Sequence, residues 1–296
     1  MTLSPQRQVR VETRAIWRVK EAGKASENDS VTVEEPLEIR IAGESVAVIM
    51  RTPCHDFELA AGFLRTEGLI DSPGQLGAIS YCTAAEPPNE ENIVEVKLAA
   101  GVEFDLQALR RNFYASSSCG ICGKASIEAI ACQAPVLAGD FTITVETLYE
   151  LNDRMRLAQD VFEQTGSLHA AGLFDNKGEL LVLREDVGRH NAVDKIVGYY
   201  TLRNEPVPEE SVLMVSGRTS FEIVQKAWMA GIAVIAAVSA PSSLAVDLAR
   251  ESGMTLLGFL RGRGFNAYAG EERIIFNLIT SRRGKWLKRK CRRDRK

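Results

Sequence analysis

Along residues 9–50, apolar side chains alternate with polar ones or run β-branched. "VRVETRAIWRVK", "EEPLEIRIAG" and "ESVAVIMRT" read as strands, with Gly and Asn-Asp breaks between them. At 56–70, "DFELAAGFLRTEGLI", the apolar spacing becomes helical, and Asp71-Ser-Pro stops it. "AISYC" (78–82) and "NIVEVKL" (92–98) predict a hairpin across a Pro- and Glu-rich loop. "TVETLYELNDRMRLAQDVFEQTG" (144–166) predicts one long amphipathic helix. Strands "HAAGLFD" and "ELLVLRED" follow, then a helix over 189–203. Strand "VLMVSG", helix "TSFEIVQKAWMAG", strand "IAVIAAVS", helix "SLAVDLARESG" and strand "TLLGFLR" complete the order. Such alternation predicts a mixed or parallel sheet covered on both faces. Thr219 and Glu222 match a capping box.

The expected class is α/β with an α+β N-terminal part. A small β-rich domain with one helix spans 1–112, an α/β domain spans 113–281, and a basic tail expected to be disordered spans 282–296. At 296 residues, 45% apolar and 25% charged, the chain has an ordinary globular composition. It has no apolar run of membrane-span length and no signal-peptide pattern at its start, so the expected location is cytoplasmic. Net charge −3 conceals an asymmetry. Residues 282–296 carry ten Lys/Arg and one Asp, leaving 26 basic and 38 acidic groups on the rest. That acidic body, without aromatic-basic interleaving, argues against nucleic acid as a partner.

Six cysteines in a chain of this size do not form a disulfide framework. Cys54, Cys82 and Cys132 read as small apolar groups and Cys291 as incidental. Cys119 and Cys122, in "SSSCGICGKASIEAI", stand at or before a predicted helix start. Free N–H groups, the helix dipole and Lys124 favour a thiolate there. The residues alone leave three roles open: a structural zinc half-site, a thiol-disulfide oxidoreductase motif, or a nucleophile that carries sulfur.

The turns at the carboxyl ends of strands, "REDVGRHN", "VSGRTS", "VSAPSS" and "FLRGRGFN", are rich in Gly, Ser or Arg, types suited to anions. Candidates are Asp186, Arg189, His190, Asn191, Ser216, Arg218, Ser220, Arg261 and Arg263, with Asp186 alternatively the N-cap of the following helix. Gly262–Ala267 formally matches G-x-G-x-x-A but lacks the downstream acid of a dinucleotide fingerprint, so it reads better as a phosphate-contacting loop. Asp186 offers a carboxylate acceptor. His169 is ambiguous between cleft and strand. His55 only starts a helix.

"SSSCGICGKASIE", "DFELAAGFLRTEGLI", "LHAAGLF", "REDVGRHNAVDK", "SGRTSFEIVQKA", "SAPSSLAVDLA" and "TLLGFLRGRGFNAYAG", in that order over roughly 36–270, resemble the formate dehydrogenase accessory sulfurtransferase family, FdhD. The resemblance implies a cytidine-deaminase-like three-layer second domain and a homodimer. It implies a sulfurtransferase in which Cys119 bears a persulfide taken from a cysteine desulfurase, with Cys122 assisting. The sulfur goes to a molybdenum or tungsten cofactor bearing two molybdopterin guanine dinucleotides, destined for formate dehydrogenase. The resemblance implies that the stretch Phe259, Leu260, Arg261, Gly262, Arg263, Gly264 is the cofactor-binding segment, where a carboxylate such as Asp186 would accept from the N–H edge of guanine. Deamination is not implied: zinc deaminases need H-x-E, and the third position after His169 is Ala171. The rival functions are the oxidoreductase and a chaperone that binds cofactor without transferring sulfur.

Overall fold

The computed structural model of the chain describes residues 9–87, 89–102, 134–137 and 141–276. Cys119, Cys122, Cys132, Cys291 and the basic tail lie outside the described residues.

Strands β1 (Val11–Lys20) and β2 (Gly23–Thr32) form a separate ribbon. Here the structure corrects the sequence reading. Asn28-Asp29 is no break, because both residues lie inside β2 and pair with Ala15 and Arg14. Ten consecutive cross-strand pairs outweigh the weak strand propensity of Asn and Asp.

A four-stranded sheet has the order β4 (Glu44–Arg51), β3 (Glu35–Ile41), β6 (Ile93–Leu98), β5 (Leu76–Tyr81). β5 and β6 are antiparallel, as the hairpin signal predicts. The inner residues Leu37, Ile39, Val94 and Val96 bury against Phe57, Leu59 and Leu64 of α1 (Asp56–Thr66). The helix ends earlier than Asp71. Gly68 turns left-handed (φ 70), and the Leu69 and Ile70 amides bond back to the Leu64 carbonyl, a glycine-terminated Schellman end.

The larger sheet has the order β13 (Gly264–Ala269), β12 (Thr255–Arg261), β11 (Val234–Ala237), β10 (Ser211–Val215), β8 (His169–Asp175), β9 (Leu180–Asp186). β10, β11 and β12 are parallel; β8, β9 and β13 each run antiparallel to their neighbours. Period-two alternation divides the core. Val212, Met214, Val234 and Ala236 meet α2 (Val145–Leu157), while Leu213, Val215, Ile235 and Ala237 meet α4 (Arg189–Thr201), α5 (Phe221–Met229) and α6 (Ser243–Glu251). The result is the three-layer mixed α/β architecture that the alternating pattern predicts.

The single helix predicted over 144–166 is two: α2 and α3 (Asp160–Thr165), separated at Ala158-Gln159. Glu185, on β9, causes the break. Its carboxylate accepts from the amides of Val161 (3.1 Å) and Phe162 (2.9 Å), capping a new helix start. The capping box at Thr219 is also displaced. Ser220 is the N-cap of α5, and the Thr219 backbone is held by Ala240 and Ser242.

α1 lies between the two sheets, with every residue but Arg65 buried. It touches α4 backbone to backbone. A Cβ on Gly62 would lie 1.8 Å from the Asp194 carbonyl oxygen, and one on Gly198 1.7 Å from that of Glu58. Only glycine permits this crossing. Buried charges fasten it: Arg184 holds Glu58, and Lys226 holds Glu67 (2.7 Å) and Asp194 (3.0 Å).

Candidate functional site

The ladder registers bring five chain segments to one edge of the large sheet. Val215 pairs with Ala237 and Ala171, and Asp186 pairs with His169. The carboxyl ends of β9, β10, β11 and β12 therefore share an edge with the amino end of β8, which runs antiparallel to both its neighbours. The four turns singled out in the sequence all lie there.

Within the turn after β9, Asp186 is fully buried. Its carboxylate takes Lys195 Nζ (2.7 Å), the Thr52 amide (3.2 Å), the Gly188 amide (2.8 Å) and Asn191 Nδ2 (2.8 Å). Lys195 also donates to the Thr52 carbonyl (2.9 Å), and Asn191 to that of Met50 (2.8 Å). These contacts bolt residues 50–52 onto the turn and engage both carboxylate oxygens of Asp186. Asp186 is not the N-cap, which is Gly188.

Arg189 and His190 begin α4 beside that bolt. Arg189 Nε is buried and has no hydrogen-bond partner among the described residues. Gly217 lets the turn after β10 close on it: a Cβ there would lie 3.3 Å from His169 Nδ1 and 3.5 Å from Arg189 Cδ. His169, Arg189 and Gly217 are thus brought together. Burial, then the Arg189 charge, pushes the His169 pKa down, against the pull of Asp186. Burial and Arg189 push His190 down to about 4. His190 Nε2 meets Ser220 Oγ at 3.1 Å, and Glu222 lies 3.9 Å away. Near neutral pH both rings are uncharged, and the positive charge at the edge comes from its arginines among the described residues. Ser220 and Glu222 as partners of His190 escape the sequence reading, since nothing in the linear pattern links position 190 to 220.

Ser216 is not free: its hydroxyl accepts from the Ala170 amide (2.9 Å) and extends the β8–β10 ladder. Arg218 is exposed. At β12 the chain is pinched. A Cβ on Gly258 would lie 2.9 Å from the Tyr268 ring and 3.1 Å from the Ser239 carbonyl. The register slips between Gly258 and Arg261, and Phe259 takes φ 56, a left-handed conformation rare for a bulky side chain. Phe259 remains 43% exposed, so it does not pack in the core at this strand end. Strain of this kind concentrates at binding sites. The Leu260 side chain, by contrast, is fully buried among α2-side core residues. Arg261 and Arg263 are exposed, and Arg261 Nε is steadied by the Val238 carbonyl (3.1 Å). Gly262-Arg263 is the two-residue turn of a hairpin, because Gly264 begins β13 opposite Arg261. A strand follows the glycines where a dinucleotide fingerprint needs a helix.

The edge therefore carries Arg189, Arg218, Arg261 and Arg263, side chains of a type suited to anions, with Phe259 exposed beside them. Elsewhere, His55 is the N-cap of α1, as expected, but with φ 60, beside Cys54 at φ 91. Cys54 Sγ lies 3.2 Å from His55 Nδ1. Burial raises the thiol and lowers His55 to about 3, so both are neutral. Among the described residues, no three His, Cys, Asp or Glu side chains gather as a metal site. Among them, too, no helix is long and apolar enough to cross a membrane.

The molecule is of a defined class: a three-layer α/β protein with an arginine-lined strand edge and a small sheet bolted beside it. Comparison with known proteins places it more narrowly. The family model of the FdhD/NarQ family matches residues 32–275, and the chain belongs to that family. It is similar to the sulfur carrier protein FdhD of Streptomyces coelicolor, 52% identical over 89% of this chain and 95% of that one. The protein of the same name from Sulfurisphaera tokodaii is 40% identical over 88% of this chain and 97% of that one. A solved structure of a formate dehydrogenase accessory protein from Desulfotalea psychrophila superposes with a TM-score of 0.71 at 26% identity, covering 90% of this chain and 99% of that one.

Proposed function

We propose that this chain is a homodimeric sulfur carrier for formate dehydrogenase. The Cys119 thiolate attacks the outer sulfur of a persulfide on a cysteine desulfurase. A Cys119 persulfide forms and the desulfurase thiolate departs. The sulfur then goes to the substrate, a molybdenum cofactor with two molybdopterin guanine dinucleotides. Arg189, Arg218, Arg261 and Arg263 meet its phosphates, and Phe259 lies against one of its rings. Cys122 assists the transfer.

One observation carries this reading: a member of a family whose curated relatives are sulfur carriers has an arginine-lined edge with a strained, exposed phenylalanine. An anionic, ring-bearing substrate fits such an edge. The test is incubation with a cysteine desulfurase and cysteine, followed by mass spectrometry. The expected result is a gain of about 32 Da, one sulfur atom, lost in Cys119→Ala. Cys119→Ala is also expected to abolish activation of formate dehydrogenase. Activation that survives this substitution would leave only a chaperone role.

A further inference from the structure

Apart from Thr32, the β1–β2 ribbon lies outside the part matched by the family model, and it is unused by the reading above. It projects as an arm. Ten residues pair with ten without a bulge, a length of about 30 Å at roughly 3.3 Å per residue. It is anchored at its base, where the Val33 amide bonds to Arg10 and Thr32 meets Thr165 of α3. Apart from half-buried Ile16, every residue from Thr13 to Asp29 is exposed. Trp17 (64%) and Val19 (73%) are among the most exposed large apolar side chains described. A two-stranded ribbon alone is marginal in water, and an unpaired apolar edge strand is a template for another strand.

We infer that β1 pairs antiparallel with β1 of a second copy, about a two-fold axis through Ala15. This rests on the homodimer reading and names its surface. Pattern and charge select the register. Centred on Ala15, Val11 faces Val19, Thr13 faces Trp17, and Glu12 faces Arg18 of the other copy. Moving the centre to Ile16 sets Arg14 against Arg18, and moving it to Arg14 sets Arg14 against itself; like charges directly opposite are destabilising. A one-residue slip puts Trp17 opposite Arg14 or Glu12 and splits the apolar strip. The other edge offers no equivalent, since β2 carries Glu27 and Asp29 and no large aromatic. Those two acids already hold Arg18 within the arm, so Glu12 of the second copy joins an existing ion cluster. Two arms make a four-stranded sheet in the order β2-β1-β1-β2.

The test uses the full chain. Directly opposed residues in an antiparallel pair have Cα atoms about 4.5–5.5 Å apart, within disulfide range. Mild oxidation of Ala15→Cys is expected to yield a residue-15-to-residue-15 disulfide, identified by peptide mass spectrometry. Val19→Cys, which faces Val11, is expected to yield no symmetric link. Glu12→Arg sets like charges opposite at both ends, so sedimentation should show dimer dissociation roughly tenfold easier or more. A dimer that neither links through position 15 nor responds to Glu12→Arg overturns the arm and leaves the homodimer standing. A monomer at every concentration overturns both.

Discussion

At the scale of single residues, Asp186 and Phe259 separate what the chain's letters reveal from what they hide. Phe259 is singled out through the family resemblance, and the structure finds it exposed near the end of β12, before the Gly-Arg-Gly turn. The strain that holds it there is not legible, because it comes from Gly258 being pinched by Tyr268 and Ser239. Asp186 reads as an acceptor for a ligand, yet its partners include Thr52, 134 residues away, and Lys195. No local pattern encodes that contact. Asp186→Asn should therefore behave as a core mutation. It leaves the Lys195 ammonium buried without its counter-charge, and removing one member of a buried pair typically costs about 3–5 kcal/mol. The urea midpoint should fall accordingly; a midpoint within error of wild type would show that Asp186 is not the bolt.

At the scale of elements, strands and most helices are readable because the core imposes strict periods. Residues 212–215 alternate between α2 on one face and α4–α6 on the other. Ends and breaks are less readable, since they are set by distant groups or by one φ angle. Gly68 ends α1 by turning left-handed, where the sequence also offers Asp71-Ser-Pro. The 158–159 break depends on Glu185, supplied by a strand. Glu185→Ala removes the acceptor for the Val161 and Phe162 amides, and loss of such a charged cap costs about 1–2 kcal/mol. Hydrogen exchange should rise over 160–166 while the large sheet stays protected. Unchanged exchange there would mean that α3 needs no cap from β9.

For the whole molecule, what matters is how the small sheet is fixed against the large one, a contact carried by α1. Thr66 of α1 donates to Asp194 of α4 (2.7 Å), and Lys226 of α5 reaches Thr66 (3.0 Å), Glu67 and Asp194. One lysine thus serves two carboxylates. Asp194, the more deeply buried, is pushed up to about 6 by burial, with Glu67 adding to the shift and Lys226 opposing it. The folded state then binds a proton that the unfolded chain releases near pH 4. Asp194 favours folding at low pH, and that contribution fades as pH rises through about 6. Over those two units it amounts to about 3 kcal/mol at most. The histidines oppose it. His55, His169 and His190 are all lowered in the fold, so their contribution is present above their ordinary value near 6.5 and is lost on acidification. Asp194 therefore cushions the molecule between pH 6 and 4. Asp194→Asn fixes the neutral state, keeps an oxygen for Thr66, and leaves Glu67 to pair with Lys226. Its stability should resemble wild type or exceed it at pH 7, then fall more steeply between pH 6 and 4. Urea midpoints of both proteins across that range decide the matter. Parallel curves would show that Asp194 is ionised throughout, with Lys226 outweighing its burial.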